Sequence, residues 1–333
     1  MYWIQFFISA VFIVLAGIRL TEYADKLSEQ SNIGKAWIGI ILLGLVTSLP
    51  EAIVSLTSVI SLKANNMAIG NLLGSNNFNP MLIVLMDAFY RKGSMTNDIA
   101  RNKSHDISAS FAVILTLVVI GEIFLGKNGF SFRDSFVSFG SILIAVLYFA
   151  GMWYLSKADS DQIKLYKKDP IKAQDCTVSA LEIWTNLTVS AVIVVLAAMW
   201  LAQSADVIAD RTGLGRTFVG SIFLAVVTSL PEMVVSLSAL RLGAFDMAIG
   251  NIFGSNMTNL FVVFLCDLFY KGAILTSVDP VHILTASSSI VLVLISCVGM
   301  KIKHKRGLFG LGWDSVLMIL IFVAVNILLY RFR

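Results

Sequence analysis

The chain writes one five-residue string, TSLPE, twice, at 47–51 and at 228–232, and each copy lies well inside an apolar block. A carboxylate in such a block is costly unless it is paired, protonated or facing water. No lysine or arginine stands close in sequence to Glu51 or Glu232 within these blocks. Thr47 and Ser48 precede Glu51 by four and three residues, so on a helix two hydroxyls and a carboxylate share one face. Thr228, Ser229 and Glu232 repeat the arrangement. Pro50 lacks an N–H and disfavours helical geometry at Leu49, so the string predicts a helix break over 47–50 that frees backbone carbonyls. Carbonyls, hydroxyls and a carboxylate form an all-oxygen cage. Calcium takes roughly six to eight such hard ligands, and sodium accepts a similar set with less charge. The competing reading is a capping box, S-x-x-E with a proline in the first turn. A cap belongs at a membrane surface, whereas these acids lie deep in their blocks.

A second pair of strings accompanies the first: GNLLGSNNFN at 70–79 and GNIFGSNMTN at 250–259. Gly70 and Gly74, like Gly250 and Gly254, make G-x-x-x-G, which permits close helix contact in membranes. Asn71, Ser75 and Asn79 are spaced by four, as are Asn251, Ser255 and Asn259. Each set is a polar stripe, able either to offer neutral oxygens to an ion or to hold helices together. Asn76 and Asn256 lie about 100° round the helix and read as supporting or packing groups. Asp87 and Asp267 match each other, and Arg91 and Lys271 follow them by four residues, which predicts ion pairs near a membrane face. Asn77 and Pro80 have no counterparts in the second copy, and Pro80 reads as a kink. Glu22, Asp25, Glu122, Asp206 and Asp210 read as interfacial helix ends, and His105, His282 and His304 as loop or near-loop residues without a ligand role.

The elements that position these strings are membrane spans. Of 333 residues, 57% are hydrophobic and only 14% charged, with a net charge of +4. Ordinary soluble domains carry about 25% charged residues. Apolar blocks long enough to cross a bilayer fall near 3–20, 33–62, 67–90, 108–125, 135–155, 180–203, 215–240, 246–270, 281–300 and 310–330. The expectation is an all-α integral membrane protein of about ten transmembrane helices. The first block lacks a basic leader and a small-residue cleavage site, so it reads as a span and not as a signal peptide. Residues 156–178 form the one sizeable polar linker. No soluble enzyme domain fits, and Cys176, Cys266 and Cys297 have neither metal-ligand spacing nor a disulfide framework. No enzyme, cofactor or nucleic-acid partner is expected; the partners are the lipid bilayer and small inorganic cations.

The linker separates five spans from five. The TSLPE strings are offset by 181 residues and the GSN strings by 180, so the chain is an internal duplication. The first repeat covers 1–155, with its most similar region at 36–92; the second covers 179–333, with the matching region at 217–272. Five spans per half invert the second repeat relative to the first. With the N-terminus outside, 17 of the 25 lysines and arginines fall on the cytoplasmic side, which favours N-terminus and C-terminus outside and a cytoplasmic linker. Inverted repeats are a recurring plan of secondary transporters, with the substrate site at the repeat interface. One chain holds both halves of such a site, so a monomer suffices. A channel remains the remote alternative.

The paired TSLPE and GSN-x-x-N blocks resemble the alpha repeats of the calcium/cation antiporter superfamily, and most of all its prokaryotic sodium/calcium exchangers. The resemblance covers essentially the whole chain. It implies a sodium/calcium exchanger-like fold of two inverted five-helix repeats in a prokaryotic plasma membrane, working by alternating access. It also implies a core of helices two, three, seven and eight, beside which helices one and six slide. The central ligands it implies are Glu51, Asn79, Glu232 and Asn259, with flanking oxygens from Thr47, Ser48, Ser75, Thr228, Ser229 and Ser255. The transported ions would be calcium and sodium. The chain departs from that pattern at one position, since those exchangers carry an aspartate where Asn259 stands. Two formal charges then replace three, which neutralise one calcium but leave the coupling ion open. Desolvated neighbouring carboxylates also accept protons, so calcium/proton exchange is the second reading, and another divalent ion such as magnesium a further one.

Overall fold

The computed structural model describes residues 2–31, 33–90, 102–128, 137–166, 178–212, 226–302 and 311–331, with the side chains of 159–166 and 209–210 excepted. Regular structure among them is entirely helical. In chain order the helices are α1 (Tyr2–Ser31), α2 (Lys35–Ile60), α3 (Asn65–Phe89), α4 (Lys103–Lys127), α5 (Phe139–Tyr166), α6 (Ala180–Arg211), α7 (Leu230–Arg241), α8 (Phe245–Leu268), α9 (Val281–Lys301) and α10 (Trp313–Arg331). Eight of them are long and apolar enough to cross a membrane. The other two are α3, diluted by its asparagines, and α7, whose expected first half at 215–225 lies outside the described residues. Helix α5 continues to Tyr166, past the expected start of the polar linker, because no glycine or proline interrupts it before Pro170. Cys176, Arg91, Lys92 and His304 also lie outside the described residues.

The expected break at 47–50 does not occur in the first copy. Gly44–Ile60 is continuous α-helix with Pro50 inside it. Proline removes one helical hydrogen bond, the one that the Val46 carbonyl would accept, and neighbouring groups in a packed membrane helix absorb that loss. The irregularity sits one turn earlier, where Ile38–Leu43 forms a π-helical stretch and the Gly44 N–H donates to the Gly39 carbonyl. The second copy does break: Ser229 is a turn residue and the helix restarts at Leu230, with Pro231 in its first turn. The capping reading fails in both copies. Ser48 lies within a helix, and Ser229, although at the N-cap, makes no side-chain capping bond.

The chain divides into two compact units, residues 1–50, 102–108 and 152–255 in the first and 51–101, 109–151 and 256–333 in the second. In the first unit α1 packs along α6 and against α7. Their seam holds Ile13, Ala197, Ala198, Leu201, Ala205, Val227 and Val234. Gly17 sits so close to α7 that an added Cβ would meet Val234 Cγ1 at 2.8 Å. Trp3, Phe7 and Leu15 of α1 and Trp184, Leu196 and Trp200 of α6 are exposed, the apolar exterior expected of helices in contact with lipid. The π-helical stretch of α2 meets the G-x-x-x-G face of α8 backbone to backbone. A Cβ on Gly44 would lie 2.8 Å from the Gly254 carbonyl carbon, and one on Gly250 would lie 2.6 Å from the Ala36 carbonyl oxygen. At the helix ends Lys35 pairs with Asp25 at 2.6 Å, so Asp25 is not merely a solvated acid. His105 stands at the helix edge, in the first turn of α4, with Nε2 2.7 Å from Asp246 Oδ1.

In the second unit α3 packs against α9 and α10. Val84, Leu292, Ile295 and Met318 form its apolar seam, and Phe78 meets Phe322 edge-on at 6.3 Å. His282 is likewise helical, in the first turn of α9, 3.3 Å from Asn66 Oδ1. The expected Asp267–Lys271 ion pair is replaced: the Asp267 carboxylate accepts the backbone N–H groups of Ser138 at 2.8 Å and Ile274 at 2.7 Å. Asp87 accepts the Gly312 N–H at 2.9 Å and the Ser315 hydroxyl at 3.1 Å. Open backbone donors at helix starts attract a buried carboxylate more steadily than a long cation that can reach water.

Candidate cation site

Every sequence-predicted ligand is buried. Thr47, Ser48, Glu51, Ser229, Ser255, Asn79 and Asn259 are wholly inaccessible, and Ser75, Thr228 and Glu232 are 1% exposed. The two units each hold part of the set.

In the first unit, the hydroxyls of Thr47, Ser48 and Ser255 face the Glu232 carboxylate, yet none lines up as a directed hydrogen bond. Thr47 Oγ1 lies 3.2 Å from Asn251 Oδ1, to which it donates, and 3.1 Å from Ser255 Oγ. Its proton is thereby engaged by Asn251, leaving oxygen lone pairs for an electropositive ligand. Asn251 also donates to the Ser236 hydroxyl at 3.0 Å and the Glu232 carbonyl at 3.4 Å. This brace holds α8 to α7 at the level of the acid. Ser229 Oγ is buried without a hydrogen-bond partner.

The second unit repeats the brace around Glu51. Asn71 Nδ2 donates to the Ser55 hydroxyl at 3.0 Å and to the Glu51 carbonyl at 3.4 Å. The polar stripes therefore split by role. Asn71 and Asn251 tie helices together, whereas Ser75 Oγ and the amide oxygens of Asn79 and Asn259 are buried with no hydrogen-bond partner. Asn77, which has no counterpart in the second copy, is buried with its amide oxygen unpartnered as well. Four asparagines join across α3 and α8. Asn79 Nδ2 donates to Asn256 Oδ1 at 2.9 Å, and Asn259 Nδ2 donates to Asn76 Oδ1 at 3.0 Å. Asn76 Nδ2 donates to the Asn256 carbonyl at 3.1 Å, and Asn256 Nδ2 to the Asn76 carbonyl at 3.5 Å. Sequence reasoning assigned Asn76 and Asn256 a generic supporting role. Their actual partners follow from the pairing of two helices 180 residues apart, which local spacing does not reveal.

Carboxylates, hydroxyls and amide oxygens form a hard donor set suited to alkali and alkaline-earth cations. Among the described residues no group of three or more His, Cys, Asp or Glu gathers as a transition-metal site would require.

The profile of the family described as sodium/calcium exchanger protein matches residues 1–157 and 183–331. The sodium/calcium exchanger MaX1 of Methanosarcina acetivorans is 27% identical over 350 aligned residues, covering 96% of both chains. The inner membrane protein YrbG of Escherichia coli is 26% identical, covering 77% of this chain and 76% of its own. Among solved structures, the sodium-calcium exchanger NCX_Mj soaked with 100 mM Na+ and 10 mM Sr2+ superposes with a TM-score of 0.70 at 19% identity, covering 97% of this chain and 96% of its own. The same exchanger soaked with 2.5 mM Na+ and 0.1 mM Ca2+ gives 0.69 at 19% identity over 97% and 96% of the two chains. The chain is thus a multi-pass, all-helical membrane protein of ten helices in two inverted five-helix repeats, and it belongs to the sodium/calcium exchanger family of cation antiporters.

Proposed function

We propose that this protein exchanges calcium for sodium by alternating access, with Glu51, Asn79, Glu232 and Asn259 as the central cation ligands and Thr47, Ser48, Ser75, Thr228, Ser229 and Ser255 as flanking oxygens. One observation carries the reading: Ser75 Oγ, Ser229 Oγ and the amide oxygens of Asn79 and Asn259 are buried and unpartnered, all within the duplicated strings. An unsatisfied buried acceptor costs about 1–3 kcal/mol. A bound cation offsets that cost for every oxygen it touches. The relatives' names support calcium and sodium as the cargo.

With both glutamates ionised the ligand set carries two negative charges, which one calcium neutralises. A near-neutral occupied site crosses a low-dielectric barrier more easily than a charged one. Two carboxylates do not hold calcium and a full sodium load together, so each ion expels the other. In this reading the repeats are 1–155 and 179–333, both termini lie outside and the 156–178 linker lies in the cytoplasm of a prokaryote, as the lysine and arginine bias supports, and a single chain carries out transport.

Calcium uptake into sealed proteoliposomes, driven in turn by an outward sodium gradient and an outward proton gradient, tests the reading. Sodium-driven, saturable uptake supports it. Uptake driven only by protons moves the coupling to H+, magnesium in place of calcium changes the cargo, and flux without any counter-ion overturns exchange altogether.

A further inference from the structure

We infer that Asn76 and Asn256 are positioning residues that decide which atom of Asn259 and Asn79 faces the transported ion. The inference rests on the reading of Asn79 and Asn259 as cation ligands and adds what orients them.

An asparagine amide is nearly symmetric in shape, and only its hydrogen bonds say which end is oxygen. Here the assignment starts from an unambiguous anchor. A backbone carbonyl only accepts. The Asn76 side-chain atom 3.1 Å from the Asn256 carbonyl must therefore be its nitrogen, and the Asn256 atom 3.5 Å from the Asn76 carbonyl must be nitrogen too. The Asn76 carbonyl is held in place by a second donor, the Ser289 hydroxyl at 3.0 Å. With their nitrogens so placed, Asn76 and Asn256 present oxygen to Asn259 and Asn79. Those residues must answer with nitrogen, at 3.0 Å and 2.9 Å. Their own oxygens then point away from the clasp, and both are buried without a hydrogen-bond partner. Turning either ligand amide over would set two amide oxygens against each other and aim a positive hydrogen edge at a cation. All four residues are at most 1% exposed, so water does not substitute for a lost partner.

Calcium titrations of the purified full-length chain in sodium-free detergent buffer test this with four proteins: N259A, N76L, N259D and N76L/N259D. Leucine at 76 removes the acceptor and frees the Asn259 amide to turn. N259A and N76L are each expected to weaken calcium binding about tenfold, the loss of one hydrogen-bond-scale interaction. Aspartate at 259 carries oxygen at both ends and needs no orienting partner, and the Asn76 oxygen then faces a carboxylate. In the N259D background N76L is therefore expected to cost nothing or to strengthen binding. A merely structural Asn76 predicts the same loss in both backgrounds, and that result, or no loss in either, overturns the inference while N259A still vouches for the ligand. Unchanged calcium binding in N259A overturns the ligand reading and the inference with it. N76S makes the same comparison if N76L does not fold, and N256L with N79D repeats it on the other side.

Discussion

Asp267 Oδ2 accepts the backbone N–H of Ser138, 129 positions earlier, at the residue just before α5 begins. Asp87 does the same to Gly312 just before α10. Each third helix of a repeat thus caps the fifth helix of the other repeat. An aspartate there faces two N–H donors, or an N–H and a hydroxyl, that would otherwise be buried and open. D267N is expected to lower stability by about 2 kcal/mol, since asparagine keeps one acceptor oxygen for a neutral bond and sets its NH2 against the other backbone N–H. Thermal unfolding in detergent reads this. Calcium affinity of the surviving folded protein is expected to match the parent, and a selective loss of affinity with unchanged unfolding would make Asp267 an ion-pathway acid.

Glu51→Gln and Glu232→Gln keep size and remove charge. Each is expected to weaken divalent binding by about a hundredfold or more, the scale of the roughly 2–5 kcal/mol lost when one partner of a buried charge interaction is removed. Near-parental calcium exchange by E51Q in vesicles would remove it from the ligands.

Asn259→Asp restores three formal charges to the site. A calcium-bound site then holds one charge to spare, which a co-bound sodium or a proton must meet because burying it bare is too costly. Calcium efflux from N259D vesicles is expected to depend more steeply on sodium, or on pH, than parental efflux at matched protein amounts. Identical sodium and pH profiles would leave Asn259 as helix packing only.

Gly44→Ala drives a methyl into the α8 backbone, where the Gly254 carbonyl carbon and the Ser255 nitrogen would each lie 2.8 Å from it. Backbone cannot turn aside as a side chain can, so overpacking of about 1–3 kcal/mol is expected. Gly121→Ala is the control, since its methyl meets nothing within 4 Å among the described residues. Transport lost in G121A as in G44A would detach the effect from this contact.

The duplicated strings made the ten-helix plan and the buried oxygens legible, because a repeat of TSLPE and GSN-x-x-N at nearly constant offset survives any uncertainty in span boundaries. What was not legible depends on partners distant in sequence. Nothing in IGIILL announces a π-helical stretch, which exists where α2 presses backbone to backbone on Gly250 and Gly254. Pro50 read as a break because local sterics say so, yet the packed helix runs through it. Asp267 read as Lys271's partner because i, i+4 spacing is visible, whereas Ser138 is not.

The asparagine clasp also bears on how such a transporter changes its ion economy over evolutionary time. Its reference points, the carbonyls of positions 76 and 256, are main-chain atoms that no point mutation deletes. A lineage that converts residue 259 to an acid by one substitution sets that acid against the oxygen of Asn76. The change becomes comfortable only after position 76 gives up its bond to the opposite main chain or is itself replaced. Positions 76 and 259, and their mirror pair 256 and 79, are therefore epistatic, and chains with an acid at one member are expected to carry a hydrogen-bond donor turned toward it at the other.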